Sequence, residues 1–233
     1  MRTFIPAAFA LLAAVPAGAA ERRYPVTDFD RVQIEGPYEV TLSTGRPSAA
    51  AASGSQPALD RVSIEVQGGT LRIRPNRSAW GGTYPGGSVG PVRVAIATRN
   101  LRSATLLGSA SLAVDKASGL RLDLSVSGSG SLGIASLAVD NLVVGLVGSG
   151  KVTLAGKAKQ FRATVQGSAG LDAAGLRAND ANVVADTAGL VAVGASRTAR
   201  VKATGSGNVE IIGAPACTVE ALGAGIVSCG SQR

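Results

Sequence analysis

A triplet of small residues recurs through the second half of this chain, and its spacing restricts the possible folds more than any other feature. It reads Gly108-Ser109-Ala110, Gly128-Ser129-Gly130, Gly148-Ser149-Gly150, Gly167-Ser168-Ala169, Thr187-Ala188-Gly189, Gly205-Ser206-Gly207 and Gly223-Ala224-Gly225. Successive triplets begin 20, 20, 19, 20, 18 and 18 residues apart. Four residues after each start stand Leu112, Leu132, Val152, Leu171, Val191, Val209 and Val227. Four before it stand Ala104, Leu124, Val144, Ala163, Val183, Val201 and Val219. The positions two before and six after are also apolar, and the residues between them are mostly Ser, Thr, Asp, Lys, Arg, Asn and Gly. Alternation of period two on both sides of a tight corner is the signature of strands, not of helices. One such unit cannot bury its apolar face alone, whereas stacked units cover one another. The expected fold is therefore all-β: a single-domain, parallel, right-handed β-helix with coils of about 18–20 residues.

Composition agrees with a thin core. Of 233 residues, 45% are hydrophobic but only 3% are aromatic, and 31 are glycine. Ala, Val and Leu fill a narrow interior, not a wide one. The first twenty residues read as a signal peptide, with Arg2, an apolar run from Phe4 to Val15, and a small-residue end at Pro16-Ala17-Gly18-Ala19-Ala20. The apolar run is shorter than the roughly 20 residues a spanning helix needs, and no other segment qualifies. Residues 21–28 then form an N-terminal lead and 29–233 the β-helical domain. Within that domain Val32, Ile34, Gly36, Val40 and Leu42 repeat the later pattern. Val62, Ile64 and Val66, Leu71 and Ile73, and Val92, Val94 and Ile96 alternate in the same way. Stretches 46–58 and 76–90 interrupt this region and read as inserted loops. Trp80 and Tyr84, in the second, either stack on sugars or cover the flank of the first coils.

There are two cysteines, Cys217 and Cys229, and no histidine. Export places the thiols where disulfides persist, and two thiols without histidine do not make a zinc site. Cys217 lies six residues before its triplet and Cys229 six after. Both occupy the inward phase, so a Cys217–Cys229 disulfide is expected to close the C-terminal coil, residues 214–233. No metal and no cofactor is expected.

The opening Phe29-Asp30-Arg31-Val32-Gln33-Ile34-Glu35-Gly36-Pro37-Tyr38-Glu39-Val40, the strand Gly69-Thr70-Leu71-Arg72-Ile73 and the repeated Leu-x-Val-x-Gly-Ser-Gly units resemble the auto-transporter adhesin head GIN-domain family. The resemblance covers roughly Phe29 to Gly213. It implies a β-helical fold in a bacterial envelope or secreted protein.

Polysaccharide-cleaving β-helices need clustered acid and base groups for proton transfer. Here Asp140 and Asp180 nearly share a phase, two coils apart, without a base beside them. The glycine triplets lack the following helix and Lys-Ser/Thr pair of a phosphate loop. Net charge is +8. Arg177 and Arg197 fall ten residues after their triplets, and Lys157 and Lys159 fall at nine and eleven in the preceding coil. Stacked, these four form a basic ladder that either holds anionic glycan, lipid A phosphate or DNA phosphate, or forms a solvated edge that blocks aggregation. The leading expectation is an exported envelope or surface adhesion module without catalysis, whose partners are anionic glycans, lipopolysaccharide or other envelope components rather than a specific nucleic acid. A structural periplasmic scaffold and a polysaccharide-processing enzyme are the alternatives.

Overall fold

The computed structural model describes residues 20–76 and 91–231. The signal-like segment up to residue 19 lies outside them, as do Trp80 and Tyr84. In chain order the elements are β1 (Ala20–Tyr24), β2 (Arg31–Glu35), β3 (Glu39–Thr44), β4 (Ala49–Gly54), α1 (Gln56–Asp60), β5 (Val62–Gln67), β6 (Thr70–Pro75), β7 (Arg93–Thr98) and β8 (Ser103–Gly108). They continue as β9 (Ser111–Gly128), β10 (Ser131–Gly148), β11 (Lys151–Gly167), β12 (Gly170–Thr187), β13 (Val191–Ala203), β14 (Val209–Ile212), β15 (Ala216–Ala221) and β16 (Val227–Ser231).

Two walls of stacked parallel strands enclose one aliphatic core. On the first wall Val32, Ala104, Leu124, Val144, Ala163, Val183, Val201 and Val219 lie directly above one another. On the second, Val40, Leu112, Leu132, Val152, Leu171, Val191, Val209 and Val227 do the same. These are the two columns the triplet alignment predicts. Each of β9 to β12 runs through nearly a whole coil and includes the return segment. Residues of that return, such as Ala117, Leu137 and Leu176, are buried too. Phe161 is the one aromatic residue buried within these long coils.

The corners explain the triplets. Gly128, Gly148 and Gly167 have φ of +117°, +112° and +92°, a region in which L side chains are strained. A Cβ at Gly148 would sit 2.6 Å from the carbonyl oxygen of Gly128, the first triplet residue one coil below. That carbonyl accepts the amide hydrogen of Ser149 at 2.9 Å. The same bond recurs from Ser129 to Gly108 and from Ser168 to Gly148. At Thr187 the corner is rebuilt: the buried hydroxyl donates to the Ala169 carbonyl at 2.8 Å and accepts from the Gly189 amide at 2.9 Å. The coils shorten to 18 residues from this point.

The N-terminal third departs from simple stacking. The coil made by β2 and β3 is not the first level. Strand β6 pairs with β2 on the side opposite β8, and β7 pairs with β3 on the side opposite β9. After the outermost strand β1 the chain forms its first parallel coil one level in, passes beneath it at β6 and β7, and then climbs from β8 onward. Chain order and stacking order therefore differ in this third. Residues 46–58, expected as a loop, contain β4 and part of α1, and the lead at 21–28 contains most of β1. β4 pairs antiparallel with β7, β1 with β4, and β5 with β6. The Ala-rich composition hides these elements because small side chains alternate without a visible apolar stripe: Ala50 and Ala52 are buried, Ala49 and Ala51 are not.

Candidate binding groove

A groove of about 780 Å³ runs along the return side of the later coils. Its floor is Ala158, Leu176, Gly194, Ala195 and Gly213, and its rim carries Asp140, Lys157, Lys159, Arg177 and Asn179. Glycine makes the depression. A Cβ on Gly194 would fall 1.9 Å from the Leu176 carbonyl oxygen, so the backbone of one coil lies directly against the next with no side chain between.

The coil shortening shapes the rim. Residues Ala173 and Val193 are in register, but the next partners are Ala178 with Ala195, so the stretch between Ala173 and Ala178 bulges out of the ladder. Arg177 projects from that bulge, in register with Lys157 on the coil below. Adjacent strands lie about 4.8 Å apart. Both side chains are exposed, and among the described residues neither has a carboxylate partner.

The other two predicted ladder members are placed differently. Lys159 is paired with Asp140 at 2.9 Å. Arg197 stands over neither Arg177 nor Lys157. It forms a two-pronged pair with Asp180, whose carboxylate also accepts from the Thr198 hydroxyl at 2.7 Å. The Arg197 and Thr198 donors hold the Asp180 carboxyl below the usual carboxylate range. The four-residue ladder thus reduces to two free cations, because the bulge shifts register by three residues just before Arg197. Asp140 and Asp180 are each committed to a cation, and Asp180 aligns with Asn141 and Gln160 rather than with Asp140. No cluster of three or more potential metal-binding side chains exists among the described residues.

The disulfide joins Cys217 of β15 to Cys229 of β16, with Cα atoms 6.6 Å apart. Cys217 stands above Ala199 and Cys229 above Ile211, both fully buried, so the inward phase is as expected. The bridge lies at the uncovered end of the stack. Cys217 is exposed and Cys229 half-buried, because no further described level covers them.

A family model described as "Putative auto-transporter adhesin, head GIN domain" matches residues 28–215. The chain belongs to this family. The GIN-domain fold is also found in solved structures. A "putative adhesin" from Bacteroides fragilis NCTC 9343 superposes with a TM-score of 0.83 at 19% identity, over 91% of this chain and 97% of that one. A "Putative lipid binding protein" from Parabacteroides distasonis ATCC 8503 gives 0.72 at 19% identity, over 93% and 98%. A "putative adhesin" from Parabacteroides merdae ATCC 43184 gives 0.68 at 17% identity, over 93% and 98%. No curated protein matches the chain. At these identities the likeness is one of fold.

Proposed function

We propose that this GIN-domain chain is an extracytoplasmic adhesion module that binds anionic envelope polymers, without catalysis, through the groove beside Lys157 and Arg177. The observation that carries this reading is the unpaired, in-register Lys157–Arg177 couple on the groove rim. Two cations about one strand spacing apart match phosphate or carboxylate groups repeated along a glycan or lipid head group. The small-residue floor lets a flat polymer lie close to the backbone. The signal-like N-terminus and the Cys217–Cys229 bridge support a location outside the cytoplasm. Family membership supports the adhesive role. A lipid head group offers the same anionic chemistry as a charged glycan, in keeping with the name of one structural neighbour.

The test is binding to purified lipopolysaccharide and to dextran sulfate, with neutral dextran as reference. The Lys157→Ser/Arg177→Ser variant is expected to lose at least about tenfold in affinity, with weaker salt dependence than the parent. Lys159→Ser and Arg197→Ser remove cations already neutralised and are expected to change little. Binding that is insensitive to salt, or lost equally in all these variants, would refute the assignment.

A further inference from the structure

The two ends of the solenoid are built differently. At the N-terminal end α1 runs between β4 on one wall and β5 on the other, burying Ala58 and Leu59. Arg22 of β1 clamps it, donating to the Leu59 carbonyl at 3.1 Å and to Asp60 at 2.6 Å. The outermost strands there carry Arg22, Arg23, Ser63 and Glu65. Charged side chains and a crossing helix are the usual devices against edge pairing.

Among the described residues, the C-terminal end has no crossing helix and one charged side chain. Strand β15 pairs only with β13, and β16 only with β14, so each leaves one hydrogen-bonding edge open among the described residues. Val219 is 42% exposed, whereas Val201 directly beneath it is 3% exposed. Leu222 and Ile226, flanking the last corner, are 67% and 70% exposed. The single charged residue of the end strands, Glu220, is already paired with Lys202 at 3.1 Å. In a chain of net charge +8, the described residues of β15 and β16 therefore carry no unpaired charge.

We infer that this end is the interface of a two-fold dimer, in which a second copy of the chain stacks its own last coil onto β15 and β16. The geometry selects that occupant. The end presents two open edges tied together by the Cys217–Cys229 bridge, with the inward-phase Val219 and Val227 between them. An extended peptide satisfies one edge and leaves the other edge and these valines wet. A coil of the same cross-section satisfies all three together. The opposite end of another copy is blocked by α1 and by its arginines, so the contact cannot propagate into a filament. It closes as an isologous pair. The two-fold axis makes the facing strands antiparallel, which keeps inward residues over inward residues when the axis passes through a residue pair. A strand of six residues is about 20 Å long and facing sheets lie about 10 Å apart. With outward side chains included, each copy offers roughly 450 Å², or about 900 Å² in total. That is below the standard size for specific complexes, so a weak, reversible pair is expected.

Sedimentation velocity on the oxidised chain from about 1 to 300 µM tests this. The expected result is a monomer–dimer equilibrium. Val219→Lys puts a charge on the open end and is expected to leave only monomer over that range, with an unchanged circular dichroism spectrum. Ser63→Lys, on the capped end, is expected to dimerise like the parent. In the unmodified chain, amides of residues 216–221 are expected to exchange at least about tenfold more slowly at 300 µM than at 1 µM. This last measurement decides the matter should Val219→Lys misfold. A chain that stays monomeric at 300 µM overturns the inference. So do a dimer that survives in a folded Val219→Lys variant, dissociation by Ser63→Lys, and open-ended polymers. None of these outcomes bears on the groove.

Discussion

Gly148→Ala and Gly133→Ala make the same chemical change at two places where the structure assigns opposite consequences. Gly148 begins a corner triplet with φ +112°, and an added Cβ would meet the Gly128 carbonyl oxygen at 2.6 Å. Holding an alanine in that backbone region costs about 1–3 kcal/mol. Relieving the contact requires the corner to move by about half an ångström. That weakens the bond from the Ser149 amide to the same oxygen, worth about 1 kcal/mol. The sum is a loss of about 2–4 kcal/mol. Gly133 lies on the outer face between Ala113 and Thr153, has no positive φ, and has nothing within 4 Å of an added Cβ. Alanine there restricts the unfolded chain and is expected to be neutral or to stabilise by up to about 1 kcal/mol. Urea unfolding at 25 °C, followed by far-ultraviolet circular dichroism, reads both. With a slope of about 2 kcal/mol per molar, the Gly148 variant is expected to unfold about 1–2 M earlier than the parent. Two variants within about 0.5 kcal/mol of each other would refute the account of the corners. So would a Gly133 variant that is the weaker of the two.

Two further outcomes follow from other parts of the fold. Replacing both cysteines with serine removes a closure spanning 12 residues, worth up to about 3 kcal/mol. Because each level of a solenoid touches only its neighbours, the effect is expected to be local. Hydrogen exchange is expected to accelerate in residues 216–231 while β9 to β12 keep their protection, and uniform acceleration would contradict that expectation. Tyr38 tests the N-terminal levels. Burial, with Glu35 and Tyr24 nearby, pushes its phenol up to about 12, and the ring is buried against the core. The folded state therefore favours the neutral phenol. Its contribution is complete below about pH 10, where the unfolded phenol titrates, and is lost as pH rises from 10 to 12. The full loss is at most about 3 kcal/mol. Denaturation midpoints between pH 9 and 12 are expected to fall more steeply in the parent than in Tyr38→Phe, and parallel curves would contradict the burial argument.

What the sequence by itself determined is the interior of one coil and its repetition. Alternation of period two assigns each side chain to a face, because successive Cβ atoms in a strand point to opposite sides. That places Val144 and Val152 inward on two walls and puts Cys217 and Cys229 in the same inward phase. Equal spacing between small-residue corners then dictates stacking, since only glycine-like backbones approach one another so closely at a turn. Tertiary structure alone decided which level lies next to which. The first parallel coil is β2 and β3, the chain then doubles back through β4, α1 and β5 and places β6 and β7 beneath, and parallel pairing between distant segments leaves no local mark. It also decided the candidate site. Lys157 and Arg177 meet and Arg197 does not, because the bulge in β12 shifts register between Ala173 and Asp180. A spacing read along the chain counts residues, whereas the ladder counts hydrogen-bonded partners, and the two differ wherever a residue leaves the sheet. The open last coil is of the same kind: inward phase is a property of the strand, but burial needs a further level to cover it.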